Sequence, residues 1–246
     1  MLEDILNEYK LNSDQAISVL FASPQEKLLY NETELFYPAS LIKLFAASLA
    51  QASSNEAQIQ TAIKASLKDS DNDALSLLYD FLTDTRSGPV KSDTETKEFI
   101  EKRLAFSKHF HDLGFSDDLK LHNKCFSFAP YGLDNELFQE HGSNQVSISD
   151  IESIMNLIIE RQEILLEYMK RDGSDYQSEF IYKGIDKIDF CYSKAAWTST
   201  VRHDVAYFSC EDEEYLLIIM TKGLSDQEDL ITEIAQKITK SVITTV

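Results

Sequence analysis

His203-Asp-Val-Ala-Tyr-Phe-Ser-Cys210, Glu211-Asp-Glu-Glu214 and Tyr215-Leu-Leu-Ile-Ile-Met-Thr221 follow one another near the end of the chain. The outer two runs are rich in aromatic and β-branched residues, and the acidic tetrapeptide between them reads as a solvated turn. They predict an antiparallel pair of strands. Just upstream, Ile188 to Trp197 reads as a third strand. Near the other end, Ala16 to Ala22 and Lys27 to Tyr30 flank Ser23-Pro24-Gln25-Glu26, which predicts two more strands and a tight turn. Two strand groups separated by a helical insertion point to one mostly antiparallel, five-stranded sheet assembled from both chain ends.

Helical patterning fills the rest. Leu2 to Tyr9 and Asp226 to Thr239 are amphipathic and would pack on the sheet. Pro38 precludes helix on its N-terminal side, so a helix is predicted from Ser40 to Gln51. Further helices are predicted over Glu56–Leu67, Asp73–Phe81, Lys97–Leu113 and, as one long element, Ser147–Lys170. Residues 114–146 lack period and hold Gly114, Pro130, Gly132 and Gly142, which reads as a long functional loop. The fold class expected is α/β. It is a single domain over 1–246, with an α/β lobe of about 1–39 and 183–246 and an all-α lobe of about 40–182.

Composition narrows the function. The 246 residues carry 42 Asp+Glu against 23 Lys+Arg, a formal charge of -19. Phosphate backbones and anionic bilayers require a basic face, so nucleic acid and membrane surfaces are not expected as partners. Cys125, Cys191 and Cys210 form no CxxC pair, and an odd count fits reduced thiols. Cys191 and Cys210 are expected to pack in the sheet as small apolar residues. His109-Phe-His111 supplies too few ligands for zinc. The longest apolar runs, Leu44–Ala50 and Tyr215–Met220, are too short to span a bilayer. The N-terminus is acidic where a signal peptide is basic. A cytoplasmic address is the expectation for the chain as it stands, and an extracytoplasmic one if a leader was trimmed.

Three segments carry chemistry. In Ser40-Leu-Ile-Lys43 a hydroxyl and an ammonium share a helix face. Ser40 would feel the positive helix end, and Lys43, among Leu41, Leu44 and Phe45, would be partly desolvated, which lowers its pKa toward the range where it accepts a proton. Ser70-Asp71-Asn72 precedes the apolar helix and also suits a helix cap. Ser193-Lys194-Ala195-Ala196-Trp197 ends a strand and is followed by Arg202-His203-Asp204.

In this order the three resemble the SxxK, SDN and KTG set of class A β-lactamases and penicillin-binding proteins. Phe36-Tyr-Pro-Ala-Ser-Leu-Ile-Lys-Leu44, Lys68-Asp-Ser-Asp-Asn-Asp-Ala74 and Ser193 through Ala206 are similar to that family's segments in the form of cyanobacterial-type serine hydrolases. The resemblance implies a β-lactamase/transpeptidase-like fold with its site at the lobe junction, no cofactor and no metal. It implies Ser40 as acylated nucleophile, Lys43 as the group that helps deprotonate it, and Ser70 as proton donor to the leaving nitrogen. Asn72 would bind the substrate's acylamide, and Lys194 and Arg202 its carboxylate. The backbone N–H groups of Ser40 and Trp197 would form the oxyanion hole.

The chain departs from that pattern in three places. Lys194-Ala195-Ala196 replaces Lys-Thr-Gly, the Ser40–Ser70 spacing is short, and the family's E-x-x-L-N segment is matched only by Asp134-Asn-Glu-Leu-Phe138. Asp134, Glu136 and Glu140 are the candidates to activate the deacylating water, in a loop where acids are ordinarily solvated. The expected activity is a serine hydrolase acting on a β-lactam or related amide or ester. The alternatives are a D-alanyl carboxypeptidase, penicillin-binding protein or esterase with slow deacylation, and a silent binding protein that keeps the fold.

Overall fold

The computed structural model describes residues 2–125 and 129–243. The chain runs α1 (Leu2–Leu6), β1 (Ala16–Ala22), β2 (Lys27–Tyr30), a 3-10 turn (Ala39–Leu41), α2 (Ile42–Ser53), α3 (Ala57–Lys68), α4 (Asn72–Thr83) and α5 (Asp93–Asp112). It continues through α6 (Leu133–His141), α7 (Ile148–Arg161), α8 (Glu163–Met169), β3 (Ile188–Trp197), β4 (Val201–Cys210), β5 (Glu213–Lys222) and α9 (Leu230–Val242). The strands form one five-stranded sheet in the order β2-β1-β5-β4-β3. Every neighbouring pair is antiparallel, with Val19 opposite Ile219, Val205 opposite Ile218 and Lys194 opposite Val205. The mixed α/β class and the five-stranded antiparallel sheet are those read from the sequence. No described helix is long and apolar enough to cross a membrane.

Two compact units emerge. The sheet unit comprises Met1–Leu41, Ser147–Glu152 and Met169–Val246. Its core sets Ile17, Val19, Phe21, Cys191, Ala206, Phe208, Leu217 and Ile219 of the strands against Ile231, Ile234 and Ile238 of α9 and Leu2 and Leu6 of α1. The strand residues alternate, as a pleated face requires. β1 and β5 are buried along both faces, which is why Tyr215–Met220 reads as a continuous apolar run. Ser147 and Asp150 cap one another where α7 begins: the Asp150 N–H donates to Ser147 Oγ (3.1 Å) and the Ser147 N–H to Asp150 Oδ2 (2.8 Å).

The helical unit comprises Ile42–Val146 and Ser153–Tyr168. Its interior is aromatic. Phe45 meets Phe110 edge-on at 5.1 Å, Phe110 meets Phe106 at 5.4 Å, and Phe106 meets Tyr79 at 4.8 Å. Each such contact contributes about 0.5–1.5 kcal/mol beyond simple burial.

Several boundaries differ from the sequence reading: α2 starts at Ile42 rather than Ser40 and α9 at Leu230 rather than Asp226, and three larger differences have a visible cause. Helix α5 starts at Asp93 rather than Lys97 because Ser92 and Glu95 form a reciprocal capping box. The predicted helix Ser147–Lys170 is two helices. At Gln162 the side-chain amide is drawn off to the Ser48 carbonyl (2.9 Å), and a new turn starts with the Leu165 N–H on the Gln162 carbonyl (2.9 Å). The long loop contains α6, whose Leu133 and Leu137 pack on Phe99 and Ile100 of α5. Residues 126–128 of that loop lie outside the described residues.

Helix α6 depends on a close backbone approach. Gly132, its N-terminal cap, has φ 57°, and a Cβ there would sit 1.9 Å from the Gly88 carbonyl oxygen. That carbonyl accepts the Leu133 N–H at 3.0 Å. Gly132→Ala is therefore expected to destabilise the protein by roughly 1–3 kcal/mol through backbone strain and displacement of Gly88. Gly88→Ala, with nothing within 4 Å of the added methyl, should cost much less. Urea unfolding midpoints of the two variants check the ordering.

Candidate active site

In the sheet unit, Ser40 sits in the 3-10 turn Ala39–Leu41, directly ahead of α2, where the unsatisfied N–H groups of the helix end concentrate positive potential. The turn is closed by the Leu41 N–H on the Pro38 carbonyl (3.0 Å). Ala39 holds φ 46°, left-handed backbone that a non-glycine residue adopts only when its surroundings impose it. One restraint is visible. His203 of β4 is fully buried, takes the Thr221 N–H on Nδ1 (3.1 Å) and donates from Nε2 to the Tyr37 carbonyl (2.9 Å). Burial pushes its imidazole down to about 4, so it is neutral at physiological pH. His203 thus packs in the sheet while tying β4 to the segment that carries Ser40.

β3 is the edge strand beside β4. Its outward carbonyls are put to use: Cys191 O accepts from the Arg171 N–H (2.8 Å), Ser193 O from the Arg171 guanidinium (2.8 Å) and Ala195 O from Lys194 Nζ (3.0 Å). The same alternation directs the Trp197 N–H away from β4, since the Thr198 N–H points inward to the Val201 carbonyl (2.8 Å). Lys194 is fully buried, and its Nζ also donates to Gln177 Oε1 (2.8 Å). Gln177, equally buried, was not singled out in the sequence, and no motif marks it. Arg202 stands opposite Trp197, whereas Lys194 stands opposite Val205, so the two cations issue from opposite faces of the sheet. The Arg202 guanidinium lies over the Phe180 ring at 5.7 Å and donates to the Glu228 carbonyl at 3.0 Å.

Asp204 completes this half. It is fully buried, its Oδ2 accepts the Ile181 N–H at 2.9 Å, and its Oδ1 has no partner among the described residues. Burial raises its carboxyl to about 7, against the pull of the Ile181 N–H and of the Arg171 and Lys194 charges.

In the helical unit, α2 carries Lys43 into full burial together with Leu44 and Phe45. Its Nζ donates to Asn72 Oδ1 (2.8 Å), Ser70 Oγ (3.1 Å) and Ser70 O (2.5 Å). The lysine of SxxK and the Ser and Asn of SDN, distant in sequence, therefore meet. Burial lowers the Lys43 pKa to about 8, opposed by the charges of Cys125 and Asp71. Asp71 caps α4 through the Ala74 N–H (2.8 Å), leaving Ser70 and Asn72 to face Lys43. Ser70 has φ 54°, a second strained non-glycine beside a motif residue.

The candidates for deacylation fare differently. Asp134 was expected in a solvated loop. Instead it is 2% exposed on α6 with Oδ1 3.7 Å from Arg103 Nη2, because the fully buried Arg103 of α5 requires a counter-charge. Asp80 accepts from Arg103 (3.2 Å) and from Lys124 (2.7 Å) in the same cluster. Glu136 and Glu140 of α6 are exposed.

The sequence profile of the β-lactamase enzyme family matches residues 48–242. The chain belongs to that family. No curated protein matches it. Solved β-lactamases share the fold. The class A enzyme of Clostridium kluyveri is 14% identical with TM-score 0.67, over 99% of this chain and 97% of that one. The β-lactamase of Sphaerobacter thermophilus is 13% identical with TM-score 0.71, over 100% and 96%. An ancestral class A β-lactamase is 13% identical with TM-score 0.69, over 98% and 100%. Family and fold are those of β-lactamase-type serine hydrolases. The profile match starts after Ser40 and Lys43, so membership does not rest on that pair.

Within this family member, Asp204 carries a pH-dependent cost. An unfolded Asp titrates near 3.9. Because the folded value is raised to about 7, the unfolded state releases its proton first, and the native state loses stability as pH climbs between these values. The stability difference between Asp204→Asn and the native chain should therefore shift in the variant's favour from pH 4.5 to 7.5, by on the order of 3 kcal/mol. Denaturant unfolding at the two pH values measures the shift; a pH-independent difference contradicts the assignment.

Proposed function

We propose that the protein is a serine hydrolase that forms an acyl-enzyme on Ser40 with a β-lactam or a related amide or ester. The observation that carries this reading is the environment of Lys43: a buried amine near neutrality, bonded to the hydroxyl and amide of the SDN triplet. As an ammonium it donates to these acceptors. On losing a proton it gains a lone pair and becomes a base in a dry site. In the proposed step, Ser40 Oγ gives its proton to Lys43 and bonds to the substrate carbonyl carbon. The carbonyl oxygen becomes an oxyanion held by the Ser40 and Trp197 N–H groups. On collapse the C–N bond breaks, and the proton passes from Lys43 through Ser70 Oγ to the leaving nitrogen. Asn72 positions the acylamide. Lys194 binds the substrate carboxylate, with Arg202 contributing positive charge from the far side of the strand. Water then hydrolyses the ester.

A second reading differs only in that last step. Asp134 is buried 3.7 Å from the Arg103 guanidinium, a placement that favours slow deacylation and hence penicillin-binding, carboxypeptidase or esterase behaviour.

Intact-mass spectrometry with benzylpenicillin is expected to show a one-to-one adduct on the native chain and none on Ser40→Ala. Rapid loss of the adduct with drug consumption marks a β-lactamase; a persistent adduct marks the penicillin-binding reading. No adduct on either chain rejects both and leaves a silent binding protein. Lys43→Ala should slow acylation by about 100-fold or more. For the native chain the acylation rate should rise with pH and level off above about 8, because Lys43 accepts a proton only once deprotonated. A rate flat from pH 6 to 9 contradicts Lys43 as the base.

A further inference from the structure

Lys194 and Gln177 are both fully buried, and Lys194 Nζ donates to Gln177 Oε1 at 2.8 Å and to the Ala195 carbonyl at 3.0 Å. Both of these acceptors are neutral. A lysine withdrawn from water is ordinarily paired with a carboxylate, which cancels its charge. The same chain does so at Lys124, 4% exposed, whose Nζ lies 2.7 Å from Asp80 Oδ1. An amide oxygen at Lys194 replaces water as a hydrogen-bond partner and leaves the positive charge in place.

Gln177 is itself held. It lies in the 3-10 turn Tyr176–Glu179, and its N–H donates to Asp175 Oδ1 at 2.8 Å. Asp175 Oδ2 is 3.4 Å from Nη1 of the buried Arg171, whose Nη2 donates to the Ser193 carbonyl at 2.8 Å. The path Ser193–Arg171–Asp175–Gln177–Lys194 leaves β3 at one residue and returns at the next, all within the sheet unit. The carboxylate in that path faces the arginine and a backbone N–H, and the amide faces the lysine.

We propose that Gln177 is a positioning residue that fixes the Lys194 ammonium while leaving its charge available to a substrate anion. The inference rests on the acyl-enzyme reading and deepens it. The role follows from the neutrality of the amide. A glutamate at 177 would occupy the same space and offer the same oxygen, yet it would convert Lys194 into an ion pair with no net charge for an incoming carboxylate. Asp204, raised to about 7 by burial, is largely protonated at pH 6 and does not supply that cancellation there.

The test compares benzylpenicillin with its methyl ester, which differ in charge and little in size, by calorimetric titration at pH 6. Ser40→Ala, which cannot be acylated, is expected to bind the acid about tenfold tighter than the ester, the scale of one charge-assisted hydrogen bond. Gln177→Glu in that background should bring the two affinities within about twofold. Gln177→Leu keeps the bulk and the lysine's charge but removes the anchor, and should lower the ratio about threefold, the scale of one neutral hydrogen bond. A merely structural role would weaken both ligands alike and leave the ratio unmoved. Equal affinities on Ser40→Ala, or a ratio unchanged by Gln177→Glu, overturn the proposal; if Gln177→Glu does not fold, an unchanged ratio in Gln177→Leu overturns it. The acyl-enzyme reading is scored separately, by the adduct on Ser40 of the native chain. Acylation with a ratio unmoved by the Gln177 variants leaves that reading standing and removes this one. Charge-selective binding that depends on Gln177, without acylation, does the reverse.

Discussion

A lysine ammonium withdrawn from water has few places to go, and the amine of Lys43 sets the terms for everything around it. Full desolvation of such an ion costs several kcal/mol even after relaxation. Part of that is returned by three oxygens, two from Ser70 and one from Asn72. Serving the same ammonium with both its carbonyl and its hydroxyl goes together with the left-handed backbone of Ser70, at a cost of about 1–3 kcal/mol. The remainder appears as the lowered pKa. A folding penalty and a chemically useful property are the same quantity here. A solvated lysine at position 43 would satisfy the fold and be inert as a base near neutrality.

The sheet unit handles buried charge by another route. Lys194, Arg171 and Asp204 are all withdrawn from water along β3 and β4, yet few of their bonds join one to another. Arg171 and Lys194 donate to backbone carbonyls of the edge strand, Lys194 also to Gln177 and Arg171 also to Asp175, while Asp204 accepts the Ile181 N–H. An edge strand has unpaired main-chain groups that would otherwise recruit another strand. Arg171 and Lys194 cover three successive outward carbonyls and leave the end of the strand, at Trp197, open. Two of those carbonyls, Ser193 O and Ala195 O, are covered by charged groups and the third, Cys191 O, by the main-chain N–H of Arg171.

What the sequence made legible follows from how local each determinant is. The strands β1 and β2 were read to the residue, because alternation and a Ser-Pro turn are short-range signals. The burial of Lys43 was also readable, since a lysine flanked by Leu41, Ile42, Leu44 and Phe45 on a helix has nowhere wet to point. Helix α6 was missed because its apolar signal is a single pair, Leu133 and Leu137, bracketed by glycines that mark loops elsewhere. Asp134 was misjudged for a related reason. Its counter-ion, Arg103, lies in a different helix, and nothing in either segment announces the pairing. Gln177 and the left-handed backbone of Ala39 and Ser70 leave no trace in composition or period, because tertiary contacts alone impose them.

At 13–14% identity to solved β-lactamases the architecture has outlasted nearly all of its side chains, so likeness of fold carries little information about substrate. The family profile makes the same point from the other side, since it matches from residue 48 onward and never touches the serine or the lysine. Membership and chemistry therefore stand on separate grounds. The scaffold is a statement about buried apolar surface and strand register, properties that tolerate wholesale substitution when volume and period are kept. The chemistry is a statement about a few polar atoms: a hydroxyl at a helix end, one amine held by two side chains, a strand N–H at an open edge. Those atoms are where departures from the family count. Ala195, Ala196 and Trp197 exchange a hydroxyl and a bare backbone for methyls and an indole on the strand edge. That leaves the sheet intact and changes what fits against it.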